Sequence, residues 1–344
     1  MTYDIVVGAL DQARERLVAL GDMILVSEPK VFALHGARVT ELLDCAAPIL
    51  LPEGEAAKQW AVLHDLLAQL AERRASRATT IIALGGGSVG DVSGLAASLF
   101  KRGCPVVHIP TTLLSQADSA VGGKTAIDAF GEKNVIGTFH QPSLVIADPA
   151  FLTTLDARQM RSGYAEIIKY GLIDDASFYE WCLENGAFVV SGYPPSLDFA
   201  ISTALSAKAR FIAGDVEDRT GQRALLNLGH SFAHAIESEA GLGAVLHGEA
   251  VALGLILALR FSAELGHCDP KPADRLASHF AEIGLPTTLT EVGVSGPALM
   301  NWIARDKKNE GIKPTLILAR GIGQAFIARD VDPDRLAGFL ATAS

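Results

Sequence analysis

Hydrophobic and polar positions follow two different textures along the 344 residues of this chain. Up to about residue 150, short apolar runs alternate with stretches of helical spacing. Residues 3–7, 23–26, 49–51, 79–84, 106–109 and 144–146 read as strands. Between them, residues 11–20, 31–43, 57–73 and 92–100 carry the spacing of helices. This rhythm predicts an α/β domain over residues 1–150 with a mostly parallel sheet. Beyond Asp148-Pro149 the helical spacing dominates, at 159–173, 177–184, 197–214, 224–240, 248–265, 271–283 and 297–305. Strand patterns return only at 315–318 and 324–327, so residues 151–344 are expected to form a mainly helical second domain.

The stretch from Thr79 to Asn134 concentrates the unusual chemistry of the first part. Its apolar run ends in Gly85-Gly86-Gly87-Ser88-Val89-Gly90-Asp91, and a helix follows. Glycines let backbone N–H groups approach an anion, and a helix N-terminus adds partial positive charge. Gly85-x-Gly87-x-x-Gly90 fits the dinucleotide pattern, although a plain strand-to-helix turn would read the same way. An ordinary fingerprint also places an acidic residue about twenty positions on. Here the next strand ends in Pro110-Thr111-Thr112, so a bound dinucleotide would use a variant site. Asp118, Lys124, Lys133 and Asn134 follow in polar segments, which suggests a phosphate or pyrophosphate cradle with lysines beside it.

Composition narrows the classes. With 49% hydrophobic residues the chain can bury a large core, and its length suits two domains. A formal net charge of −10 argues against a nucleic-acid or anionic-membrane binder, while leaving room for a local basic pocket. The four cysteines (Cys45, Cys104, Cys182, Cys268) are scattered and read as reduced thiols of a cytoplasmic protein. No signal peptide is apparent, and the most lipid-like run, 250–259, is too short to span a bilayer. A soluble protein is expected.

In the second part, polar residues interrupt apolar helices. Glu166 and Lys169 are three apart and share a helix face. His230 and His234 have the i, i+4 spacing, and His247 follows in Leu246-His247-Gly248-Glu249. One carboxylate and two imidazoles can make an open zinc site. Spacing alone favours His230 with His234 as the ligating pair. Hydrogen-bonded core residues would give the same pattern, and His108, His140 and His279, which lack such company, are read as structural. The basic residues Arg102, Lys124, Lys133, Lys169, Lys208, Arg223, Lys307 and Lys308 form a further set, though Asp306-Lys307-Lys308-Asn309 could also be an exposed turn.

Taken together, these motifs resemble the 3-dehydroquinate synthase family of the shikimate pathway. The resemblance rests on the glycine turn, on Pro110 to Lys124, and on Lys133-Asn134. It continues through Gly163-Tyr164-Ala165-Glu166-Ile167-Ile168-Lys169, Arg223 to His230, His247-Gly248-Glu249 and Asp306-Lys307-Lys308. It runs in order over nearly the whole chain; the glycine turn by itself is shared with glycerol and iron-type alcohol dehydrogenases. The resemblance implies an N-terminal NAD-binding α/β domain and a helical C-terminal domain, in a homodimer, with NAD and a divalent zinc or cobalt ion. By matching positions it implies Glu166, His230 and His247 as metal ligands, which overrules the spacing-based pair and leaves His234 as a hydrogen-bonding or proton-relay group. It implies substrate contacts from Asp118, Lys124, Asn134, Lys169, Arg223, Asn227 and one or both of Lys307 and Lys308, with Arg102 and Lys133 at basic active-site positions. Cofactor contacts are implied for Glu55, Lys58, Gly86, Gly87, Asp91, Thr111 and Thr112.

The sequence departs from the family pattern at Asp128, where Asn is frequent, and at Asp156, where Pro is frequent. Residues 215–219 look one residue longer than usual, which loosens the placement of Lys208, and Glu28-Pro29-Lys30 replaces a cofactor-side Asp-x-Asn. The implied substrate is 3-deoxy-D-arabino-heptulosonate 7-phosphate. Oxidation of an alcohol to a ketone acidifies the neighbouring C–H, so phosphate can leave by β-elimination; re-reduction, ring opening and an aldol closure then give 3-dehydroquinate. Related sugar-phosphate cyclases and a metal-dependent alcohol dehydrogenase of the same fold are the alternatives, and a non-catalytic NAD- or metal-binding protein is the most distant. Arg223, Asn227 and His234, whose loss would favour another cyclase, are all present.

Overall fold

The computed structural model describes residues 3–45, 47–215, 221–241, 243–303 and 313–343. Contacts divide the chain into two compact units, Met1–Asp156 with Leu197–Ala209, and Ala157–Ser196 with Arg210–Ser344. The change of texture read at residue 150 lies just before the second unit begins.

The first unit runs β1 (Asp4–Val7), α1 (Arg14–Val18), β2 (Met23–Ser27), α2 (Pro29–Leu43), β3 (Ile49–Leu50), α3 (Trp60–Glu72), β4 (Thr80–Gly85) and α4 (Gly87–Leu99). It continues through β5 (Val106–Pro110), β6 (Lys124–Ala129), β7 (Glu132–Phe139) and β8 (Leu144–Ala147). Six strands form one sheet in the order β1-β8-β5-β4-β2-β3, and every pairing in it is parallel. Alternate side chains of a strand point to opposite faces, and here they feed two separate cores. Ile24, Val26, Ile81 and Val106 pack on the side of α3 and α4, with Leu63, Leu66, Leu70, Val92 and Leu95. Leu25, Ile82, Leu84, Val107 and Ile109 face the other way, onto Leu10, Leu17, Val39 and Leu43. Each fully buried Leu or Ile contributes about 1.5–3 kcal/mol. A sheet covered on both faces explains why its strands read as continuous apolar runs.

Two differences from the sequence reading stand out. α4 starts at Gly87, well before the expected residue 92, because tertiary burial of Val89, Val92 and Leu95 outweighs the poor helix propensity of three glycines. Residues 124–139 form an antiparallel hairpin, β6 with β7, where no strand was expected. Its apolar residues are too few to alternate, and only Ile127 on β6 is fully buried among the larger side chains of the two strands.

The second unit contains α5 (Ala157–Asp174), α6 (Ala176–Val190), part of α7 (Pro194–Ala213), α8 (His230–Ala240), α9 (His247–Glu264), α10 (Lys271–Ile283) and α11 (Gly296–Ile303). A two-stranded antiparallel ribbon, β9 (Leu316–Ala319) with β10 (Ala325–Ala328), and α12 (Pro333–Thr342) complete it. α9 is buried on nearly all sides, as its apolar sequence demands. Glycines set how close its neighbours come. A Cβ on Gly248 would overlap the Ser162 carbonyl oxygen, so only glycine lets the start of α9 rest on the backbone of α5. Gly229, at φ +77°, breaks the helix expected over 224–240 and turns the chain into α8 against Gly254 of α9. Among the described residues no helix is long and apolar enough to cross a membrane.

Candidate active site

These close approaches bring three polar side chains of the second unit to one point. Glu166 lies in the buried middle of α5, while His230 and His247 are the first residues of α8 and α9. Glu166 Oε1 is 3.3 Å from His230 Nε2 and 3.1 Å from His247 Nε2. One potential ligand atom from each residue lies within 4.8 Å of the others. The remaining ring nitrogens face acceptors: His230 Nδ1 is 3.2 Å from the Leu228 carbonyl oxygen, and His247 Nδ1 is 3.1 Å from Glu237 Oε2. Both Nε2 atoms therefore face the carboxylate, where a cation that displaces the proton from His247 Nε2 would meet both rings. That donor set suits a cation between the three groups.

The electrostatics agree. Burial raises the Glu166 carboxyl, but the Lys169 charge and the His230 and His247 contacts outweigh it and hold the pKa well below the carboxylate range. Lys169, only 2% exposed, forms an ion pair with Glu166 one turn away. Burial lowers the His230 imidazole, helped by the Lys169 charge. Burial acts downward on His247 as well, yet hydrogen bonds to Glu166 and Glu237 carry it up to about 10. Glu166 is thus held ionised between the two imidazoles.

His234 does not join the three. It is exposed, with its ring 5.6 Å from that of His230 and 6.3 Å from that of His247. Its i, i+4 spacing places it beside the centre on the same helix face. Arg223 is buried, and its main-chain N–H donates to Asp215 Oδ2 at 3.3 Å. Asn227 donates from Nδ2 to the Ala224 carbonyl oxygen at 3.1 Å. Lys307 and Lys308 lie outside the described residues.

A second constellation belongs to the first unit. Among the described residues no side chain caps the N-terminus of α4 at Gly86 and Gly87, where a helix leaves its first N–H groups without intrahelical partners and carries partial positive charge. The nearby Lys58 is 5% exposed; its Nζ lies 2.6 Å from Asp91 Oδ2 and donates to Asn134 Oδ1 at 2.6 Å. Burial opposes the Lys58 charge, but Asp91 and Glu55 outweigh burial and raise its pKa. Glu55 Oε1 accepts from Ser88 Oγ at 3.2 Å. Thr111 is buried with its N–H on the Gly85 carbonyl oxygen at 3.0 Å, and Thr112 donates to Ser115 Oγ at 2.9 Å. A small pocket lined by Gly85, Gly87, Asp91 and Lys124 lies beside this loop.

The hairpin carries the rest. Asn134, at φ +54°, donates its N–H to Asp128 Oδ1 at 2.8 Å, and the Asp128 N–H reaches the Lys58 carbonyl oxygen at 2.8 Å. Asp128, one of the departures from the family pattern, therefore ties Asn134 to the Lys58 segment. Lys124, Lys133 and Arg102 are exposed. Asp118 sits in a π-helical turn, Ser115–Ser119, and pairs with Lys208 at 2.9 Å. Two of these features escaped the sequence reading. Lys208 was named but not placed, and the orienting contact of Glu237 was missed, although Glu237 follows His230 and His234 at i+7 and i+3.

Comparisons with known proteins address the whole chain. Residues 48–162 match the family model described as 3-dehydroquinate synthase N-terminal, and residues 163–309 match 3-dehydroquinate synthase C-terminal. The chain is 47% identical to the 3-dehydroquinate synthase of Caulobacter vibrioides, covering 98% of this chain and 95% of that protein. It is 49% identical to the enzyme of the same description from Zymomonas mobilis, covering 85% and 78%. Among solved structures it is similar to 2-epi-5-epi-valiolone synthase from Streptomyces hygroscopicus with NAD+ and Zn2+ bound, at 29% identity and a TM-score of 0.91, covering 99% of this chain and 96% of that one.

Proposed function

Because this chain belongs to the 3-dehydroquinate synthase family, we propose that it converts 3-deoxy-D-arabino-heptulosonate 7-phosphate to 3-dehydroquinate and phosphate. It is a carbon–oxygen lyase that eliminates phosphate. The observation that carries the reading is 47% identity over nearly the full length of a 3-dehydroquinate synthase, against 29% for a cyclase with a different product.

Glu166, His230 and His247 would hold a divalent zinc or cobalt ion, which when bound supplies Lewis-acid charge to substrate oxygens. Glu55, Lys58, Gly86, Gly87, Asp91, Thr111 and Thr112 would hold NAD, which supplies a reversible hydride store. The converging Nε2 atoms and the uncapped α4 N-terminus support these assignments. Lys169 keeps Glu166 ionised and presents a buried ammonium to the same region. Arg223 suits the substrate carboxylate, since its fork can bind both oxygens. Lys124, Lys133, Asn134, Arg102, Lys307 and Lys308 are assigned to the phosphate and hydroxyls, with Asp118 oriented by Lys208. Asn227 and His234 are assigned to hydrogen bonding and proton relay around the ring.

In this reading the enzyme works in the cytoplasm, as a homodimer, on a small sugar phosphate. Four free cysteines support a reducing compartment. Parallel assays with the heptulosonate phosphate and with a sugar phosphate lacking a carboxylate test the assignment. Turnover of the first alone is expected; preference for the second would favour a related cyclase.

A further inference from the structure

Among the described residues near the proposed metal centre, Glu237 is a carboxylate to which the sequence reading gave no role. It sits on α8, seven positions after His230, so both occupy one helix face two turns apart. Its side chain is 9% exposed, and Oε2 lies 3.1 Å from Nδ1 of His247 on α9. Nε2 of the same ring faces Glu166 at 3.1 Å. The His247 ring is thus held at both nitrogens, and α8 supplies one imidazole directly while orienting the other.

We infer that Glu237 is a positioning residue for metal binding: its carboxylate holds the His247 ring at Nδ1 and so turns Nε2 toward the cation. This inference rests on the assignment of Glu166, His230 and His247 as ligands. The two histidines are supported differently. His230 Nδ1 faces a main-chain oxygen only two residues back, which the turn at Gly229 provides. His247 depends on a side chain from another helix, and a carboxylate partner also makes the imidazole a stronger donor. Without that acceptor, the ring can rotate or carry its proton on Nε2, where it cannot ligate. Loss of such a partner typically costs about 10- to 100-fold in metal affinity.

The test is a Zn2+ titration of the full-length protein against a chromophoric chelator, with Co2+ absorption as a probe of ligand geometry. Glu237→Gln keeps an acceptor of the same shape without the charge, and is expected to weaken Zn2+ binding about 10-fold. Glu237→Ala is expected to weaken it toward about 100-fold and to shift the Co2+ bands. Glu239→Gln on the same helix, where the carboxylate bonds Trp302 Nε1 at 2.8 Å, should leave both readouts unchanged. Wild-type affinity and an unshifted Co2+ spectrum in the Glu237→Gln protein would overturn the inference, and this isosteric variant decides should the alanine variant not fold. His247→Ala separates the two levels. Tight binding in it would remove the ligand assignment and the inference together, whereas lost binding there with unaffected Glu237 variants removes only the inference.

Discussion

Lys208 Nζ lies 2.9 Å from Asp118 Oδ2 and donates to the Asp118 main-chain oxygen at 2.7 Å. Ninety positions separate the two residues, and the lysine is 7% exposed. Removing one partner of a largely buried pair leaves the other charge with less compensation. Lys208→Met should therefore destabilise the protein by about 3 kcal/mol, while adding Asp118→Asn should recover part of that loss. Urea unfolding of the single and double variants measures the coupling. Strictly additive losses would show that the pair does not hold the Asp118 turn.

The proposed ligands make a distinct claim about His234. His247→Ala should lose bound metal and activity together. His234→Ala should keep its metal while losing turnover, because its ring stands beside the centre and not in it. His140→Ala should keep its metal as well; His140 Nε2 is 2.9 Å from the Cys104 carbonyl oxygen, far from these helices in sequence and chemistry. Elemental analysis of the three variants checks the assignment, and metal loss in His234→Ala equal to that in His247→Ala would restore the i, i+4 pair.

His108 predicts an acid-sensitive fold. It is buried on β5, and burial, with some help from the His140 charge, lowers its pKa from 6.5 to about 4. The unfolded chain therefore binds a proton that the folded chain refuses. Stability from this group is complete above about pH 6.5 and falls as the pH drops toward about 4, with about 2 kcal/mol lost by about pH 5. His108→Gln should remove that part of the slope, giving a smaller fall in urea midpoint between pH 7 and pH 5 than the parent shows. Equal slopes would contradict a neutral buried imidazole.

The legible parts share a physical character. Residues 79–100 announced themselves because a strand buried on both faces must be apolar and the turn after it must be glycine-rich. Glu166 and the histidines stood out because charged groups inside apolar helices need a reason. The hairpin at 124–139 was invisible because its polar residues serve turns and contacts, as in the Asp128 bond to Asn134, and not a core. Spacing favoured His234 over His247 because sequence distance knows one helix at a time. Gly248 and Gly229, which bring three helices together, act only through packing that the sequence does not display.

The proposed reaction is a closed redox cycle with phosphate elimination between its two hydride transfers. If the α4 loop holds NAD only as a temporary hydride store, one NAD serves many turnovers and no NADH accumulates. Phosphate release and NADH absorbance can be followed in one cuvette with excess heptulosonate phosphate and limiting NAD. Phosphate is expected to rise well beyond the NAD supplied while the NADH signal stays flat. NADH rising in step with substrate consumed would instead mean a dehydrogenase built on the same fold.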